Sequence, residues 1–93
     1  MSGTDRYELR ITPSARRNLA EHLPEAVAFA AYEFIIGPLL DNPHRVGTRL
    51  QPPLHDRHSA RRGTYRVIYR IDDQHHRVTV VAVVPRADAY RTP

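Results

Sequence analysis

The chain has 93 residues, enough for one domain with a single modest core. Its fourteen Lys/Arg positions are all arginine and it has no cysteine, which excludes a lysine base or Schiff base, a thiolate nucleophile, a thiolate metal centre and a disulfide framework. The net charge of +4, with six histidines that add charge at lower pH, suits nucleic acid, an anionic membrane surface or an acidic protein, and does not choose among them.

The opening residues Met1–Glu8 are polar and carry acids, unlike a signal or transit peptide. The longest apolar run is far shorter than the roughly 20 residues that cross a bilayer. The expectation is a cytoplasmic protein with no membrane partner, and one domain over residues 1–93. Tyr7–Ile11 alternates apolar and polar residues and reads as a strand. Thr12–Pro13 supplies an N-cap followed by proline at the first helical position. Ala15, Leu19, His22 and Leu23 then recur at helical spacing, which predicts a first helix over 13–22. Pro24 opens a second helix over 24–36, which Gly37–Pro38 is expected to end. Its residues leave almost no polar face, so it packs on the first helix and the sheet or offers a side to a partner protein. Residues 38–56, with four prolines, read as loop with extended pieces around Leu50 and Leu54.

The next segment concentrates the charge. Strands near 57–62 and 65–72 flank Gly63–Thr64, a two-residue hairpin loop. In that register Arg62 pairs with Tyr65 and Arg61 with Arg66. Arg57, Ser59, Arg61, Arg66, Ile68 and Arg70 then share one face. His58, Ala60, Arg62, Tyr65, Val67, Tyr69 and Ile71 form the other, mostly apolar face, which should meet the helices. Four arginines on one face repel one another. They form either an anion-binding face or a solvated charged surface. After the polar turn Asp72–His75, the β-branched run Arg77–Val84 is the most buried strand, ended by Pro85. The order is βααβββ: an α+β fold with an antiparallel sheet and two N-terminal helices on one face.

The histidines at 22, 44, 55, 58, 75 and 76 have no zinc spacing, so no metal is expected. His55 and His58 are candidate bases or ordinary surface histidines. No Walker loop, dinucleotide fingerprint or nucleophile elbow is present, so no cofactor is expected.

The segment Ser59–Arg70 resembles the RelE/ParE toxin superfamily, specifically its RelE-like toxins of type II toxin–antitoxin systems. Tyr7-x-Leu-x-Ile-Thr-Pro-x-Ala15 resembles the family's opening strand and helix start. Asn42–Pro43, Gly47 and Leu50 resemble its middle loop, and Arg86–Ala–Asp–Ala–Tyr90–Arg91 its closing motif. The resemblance implies a ribosome-dependent endoribonuclease that cleaves mRNA in the A site. It implies as partners a cognate antitoxin, the ribosome and mRNA, with operator DNA bound only through the antitoxin. Arg61, Arg66, Arg86 and Tyr90 are then the catalytic candidates, and Arg57, Arg62, Arg70 and Arg91 the RNA-binding ones. Pro85 stands where some RelE-like enzymes carry histidine, and Asp56 where glycine is common. The same fold also implies two alternatives: a ParE-like gyrase inhibitor without nuclease activity, or a co-repressor acting with its antitoxin on DNA.

Overall fold

The computed structural model describes residues 6–85. Five strands form one mixed sheet: β1 (Glu8–Ile11), β2 (Thr48–Arg49), β3 (His58–Arg62), β4 (Tyr65–Asp72) and β5 (Arg77–Pro85), in the order β1-β5-β4-β3-β2. The strands β2 to β5 run antiparallel, neighbour to neighbour. β1 instead lies parallel to β5, with Leu9 opposite Val78 and Ile11 opposite Val80. This corrects the expectation of a wholly antiparallel sheet. The chain leaves β1 for the helices, crosses one face of the sheet and re-enters at the far edge as the β2–β3–β4–β5 meander. The free edge of β5 is where β1 docks, pointing the same way.

Thr12 caps the first helix as expected. Its hydroxyl accepts from the Ala15 N–H at 3.1 Å and donates to the Val81 carbonyl at 3.1 Å. Val81 lies at the irregularity where the β4–β5 register slips between Ile68 and Tyr69, so one hydroxyl serves a helix start and a bulged strand. Helix α1 (Pro13–Arg17) continues as a π-helical turn, Asn18–His22. Asn18 Oδ1 accepts from the Val83 N–H at 3.0 Å, which ties that turn to β5.

Helix α2 (Glu25–Phe34) also runs on as a π-helical turn, Ile35–Leu39, so Gly37–Pro38 does not stop it. Pro38 has no N–H to give to the preceding turn, and its ring crowds the carbonyl there. The wider π turn accommodates it, while the fully buried Ile35 and Leu39 hold the segment to the core. Ala15, Ala31, Phe34, Ile35 and Leu39 pack against Ala60, Val67, Tyr69, Val78, Val80 and Val83 of the sheet. One side of α2 stays open: Phe29, Tyr32 and Ile36 are 64%, 46% and 37% exposed.

The expected loop contains a short helix, α3 (Pro43–Val46), followed at once by β2. The piece around Leu54 is turn rather than strand, closed by Leu54 N–H to the Gln51 carbonyl and Arg57 N–H to the Leu54 carbonyl. Asp73 accepts from the Tyr7 hydroxyl at 2.5 Å and from His44 Nε2 at 2.9 Å. It thereby ties the entry to β1 and helix α3 to the β4–β5 turn. No helix among the described residues is long and apolar enough to cross a membrane.

Candidate anion-binding site

The hairpin loop fixes the site. Gly63 adopts φ +32°, a conformation that side chains rarely take, and the tight turn sets Arg62 opposite Tyr65 and Arg61 opposite Arg66. That is the register expected from the sequence. Burial follows the same alternation: His58, Ala60, Tyr65, Val67 and Tyr69 are buried under the helices, while Arg61 is exposed and Arg66 half-buried on the other face.

Arg61 and Arg66 meet at a concavity of about 520 Å³. The hairpin contributes Ser59, Arg61, Arg62 and Arg66; the facing wall is Val46, Gly47, Thr48 and Leu50. No carboxylate among the described residues lines it. Arg66 Nε is buried and has no hydrogen-bond partner among the described residues. Two guanidinium groups lining one cavity, with no carboxylate among the described lining residues, are chemically suited to an oxyanion.

The wall is held rigidly. The buried Tyr69 hydroxyl donates to the Pro43 carbonyl at 2.7 Å, fixing the start of α3. Burial pushes the Tyr69 pKa up to about 12, against a smaller opposite effect of Arg62, so the hydroxyl stays protonated as the donor this bond needs. Only glycine fits at position 47: a Cβ there would overlap the Tyr69 hydroxyl and crowd the Ser59 carbonyl.

The other predicted residues divide. The Arg62 guanidinium lies 4.4 Å from the centroid of the Phe34 ring, and its Nη1 donates to the Arg61 carbonyl at 2.8 Å. Its charged end is therefore spent on the helix side, although the residue also borders the cavity. Arg57 lies outside the lining; its Nε is buried without a hydrogen bond and 3.9 Å from Asp56 Oδ1. Arg70 sits four residues beyond Arg66 along β4, about 13 Å away, in a separate concavity with Asp56, Asp72, Asp73 and Arg77. That neighbourhood is of mixed charge. Arg86, Tyr90 and Arg91 lie outside the described residues.

Neither histidine considered as a base reaches the cavity. His55 is exposed in a turn. His58 is 8% exposed on the opposite face, stacked on Tyr69 at 5.6 Å and edge-on to His44 at 5.9 Å. Burial first, then the nearby His44 and Arg49 charges, lowers its pKa, with Asp73 opposing. Among the described residues no group of three His, Cys, Asp or Glu is arranged to hold a metal ion. The sequence reading missed the facing wall. Its signal was the Asn42–Pro43 and Gly47 spacing, which marked a loop without saying where the loop packs.

Comparison with known proteins agrees with this architecture. A family model described as the ParE toxin of the type II toxin–antitoxin system parDE matches residues 9–90. The chain is 50% identical over 91 residues to Toxin RelE of Mycobacterium tuberculosis, covering 98% of this chain and 93% of that protein. It is 48% identical over 85 residues to Toxin RelG of the same organism, covering 91% and 97%. The crystal structure of the toxin–antitoxin complex RelBE2 from M. tuberculosis contains a chain that superposes with a TM-score of 0.83 at 46% identity, covering 87% of this chain and 99% of that one. The chain belongs to the ParE toxin family and is a toxin of a type II toxin–antitoxin pair, similar to RelE and RelG.

Proposed function

We propose that the protein is a ribosome-dependent endoribonuclease that cleaves mRNA in the A site and so inhibits translation. The observation that carries this reading is the cavity lined by both Arg61 and Arg66, with no carboxylate among its described lining residues. RNA contains its own nucleophile. The 2′-hydroxyl attacks the adjacent phosphorus, the bond to the 5′-oxygen breaks, and a 2′,3′-cyclic phosphate and a 5′-hydroxyl result. Charge builds on the phosphate oxygens in the transition state. Fixed guanidinium groups already in place stabilise that charge without reorganising. Arginine is too weak an acid to serve as a base at neutral pH, and no imidazole or carboxylate among the described residues lines the cavity. Within the reading, the 2′-hydroxyl proton therefore passes to water or to a group on the ribosome, and the departing 5′-oxygen takes up a proton from water or the ribosome; Arg86 and Tyr90 contribute by resemblance.

The partners follow from the same reading. The toxin acts in the cytoplasm, on ribosomes, and needs no cofactor. A cognate antitoxin restrains it; the similar chain of RelBE2 belongs to a toxin–antitoxin complex. The antitoxin also carries it to operator DNA. Two surfaces suit an antitoxin: the open apolar side of α2 and the arginine cavity, which an acidic segment would neutralise.

A second reading is gyrase inhibition without RNA cleavage, favoured by the ParE description of the matching family model. Inducible expression without antitoxin separates the two. RNA cleavage stops translation first and leaves new mRNA 5′ ends at ribosomal A-site positions; gyrase poisoning stops replication first and induces DNA damage.

A further inference from the structure

The wall opposite the arginines has chemistry of its own. Thr48 and Ser59 are cross-strand partners between β2 and β3, so their side chains share one face. Ser59 is two residues from Arg61 on β3, on the same face, about 7 Å along the strand. The cavity thus has a cationic end at Arg61 and Arg66 and, one strand step away, a pair of hydroxyls. Neither hydroxyl makes a hydrogen bond to another described residue. Val46 and Leu50, both half-buried, supply apolar surface beside them.

A nucleotide has the same sequence of chemistry. Its phosphate is an oxyanion, and a flat, largely apolar base with a polar edge follows at a distance of several ångströms. A volume of about 520 Å³ is within the range of small-molecule sites. We infer that the β2–β3 wall is a base subsite: the base next to the arginine-bound phosphate lies against Val46 and Leu50 and presents its edge to Thr48 and Ser59. This rests on the RNA-cleaving reading and adds the group that selects among bases. Hydroxyls donate and accept, so the pair discriminates by geometry and not by charge. Gly47 and the Tyr69–Pro43 hydrogen bond matter to it because they hold Thr48 in place.

The test uses short single-stranded RNAs carrying A, C, G or U at one position between abasic nucleotides, with 2′-deoxyribose there to prevent cleavage. Fluorescence anisotropy at low salt gives four dissociation constants for each folded protein. The wild type is expected to spread the four by about tenfold, the scale of a good base-edge contact. The double variant Thr48→Val with Ser59→Ala keeps the volume of the wall and removes both hydroxyls. It is expected to bring the four constants within about twofold, mainly by weakening the base that wild type prefers, while the phosphate contacts keep measurable binding to all four. Arg66→Ala is expected to weaken all four alike. A spread that survives the double variant, or a wild type with no spread, overturns the base subsite and leaves the arginine site standing. No binding of any of the RNAs by the wild type also overturns the base subsite as a property of the toxin alone; the ribosome-dependent reading is tested separately, by A-site cleavage on programmed ribosomes.

Discussion

Arg61 and Arg66 stand directly opposite each other in the β3–β4 hairpin, and no acid among the described residues lines the cavity they share. Like charges so placed destabilise an antiparallel pair. The hairpin holds them there through its buried face, where Ala60 and Val67 form a cross-strand pair in the core. An anion relieves the repulsion. The arrangement is therefore suited to a phosphate in a way that a scattered +4 net charge is not.

The wall should be sensitive at Gly47. Gly47→Ala puts a methyl into the Tyr69 hydroxyl and against the Ser59 carbonyl, so backbone or ring must shift. A cost of about 1–3 kcal/mol is expected. Tyr69→Phe should cost about 1 kcal/mol through the lost bond to the Pro43 carbonyl. Urea unfolding of both variants checks this. A Gly47→Ala protein as stable as wild type would show that the wall is not packed as described.

Arg62 is expected to serve stability more than RNA. Its guanidinium covers the Phe34 ring at 4.4 Å, a contact worth about 0.5–2 kcal/mol. Arg62→Ala should lower the urea midpoint, and a double-mutant cycle with Phe34→Leu should show coupling. Its loss of cleavage should be much smaller than that of Arg66→Ala. Equal losses, with no coupling to Phe34, would return Arg62 to the anion site.

Stability should fall on mild acidification. His58 has a lowered pKa in the folded protein, mainly from burial, so the folded state binds fewer protons than the unfolded chain. Its full contribution is present above the ordinary value of 6.5 and declines as pH falls from there toward the lower folded value. Glu8, Asp72 and Asp73 also have lowered values, and their contributions fade only below the carboxylate range. Urea midpoints at pH 7.5 and 5.5 isolate the histidine. Wild type should be less stable at pH 5.5, and His58→Gln should lose most of that difference. A full pH effect in His58→Gln assigns it elsewhere.

The open side of α2 should disappear on antitoxin binding. Phe29, Tyr32 and Ile36 are too exposed to be core, and an apolar strip of this kind marks an interface. Phe29→Ser with Ile36→Ser should leave the fold intact and weaken antitoxin binding by at least about tenfold, since two large apolar contacts are lost. Calorimetric titration measures it. Unchanged affinity in the double variant would place the interface elsewhere.

The parts of this fold that local chemistry decides were legible in the sequence. Thr12–Pro13 is a complete helix start, and a two-residue Gly63–Thr64 loop, taken as an assumption against a one-residue slip, set Arg61 opposite Arg66, as the structure has them. The direction of β1 was not legible, because alternation identifies a strand and not its neighbour. Pro38 misled for a related reason: it blocks an α turn, but buried Ile35 and Leu39 carried the helix past it in π form. At the site, Arg57, Arg62 and Arg70 carry the same charge as Arg61 and Arg66. What separates them is Phe34 beneath one, Asp56 beside another and the acidic β4–β5 turn around the third. Those neighbours are distant in sequence or set by turns, so composition alone counted five equal arginines.

The most direct measurement compares Arg66→Ala with Arg16→Ala in A-site cleavage on programmed ribosomes, with 5′ ends mapped. Both remove one positive charge. Arg66 lines the arginine cavity, whereas Arg16 lies exposed on α1. Losing one preorganised charge contact to the transition state should raise the barrier by about 3 kcal/mol, about a hundredfold in rate. Losing the surface charge should weaken only long-range attraction, by a few-fold at most and less at higher salt. The account predicts A-site cleavage by the wild type, near-normal cleavage by Arg16→Ala and a loss of about a hundredfold in a verifiably folded Arg66→Ala. Equal losses in the two variants, or full activity in Arg66→Ala, would contradict it.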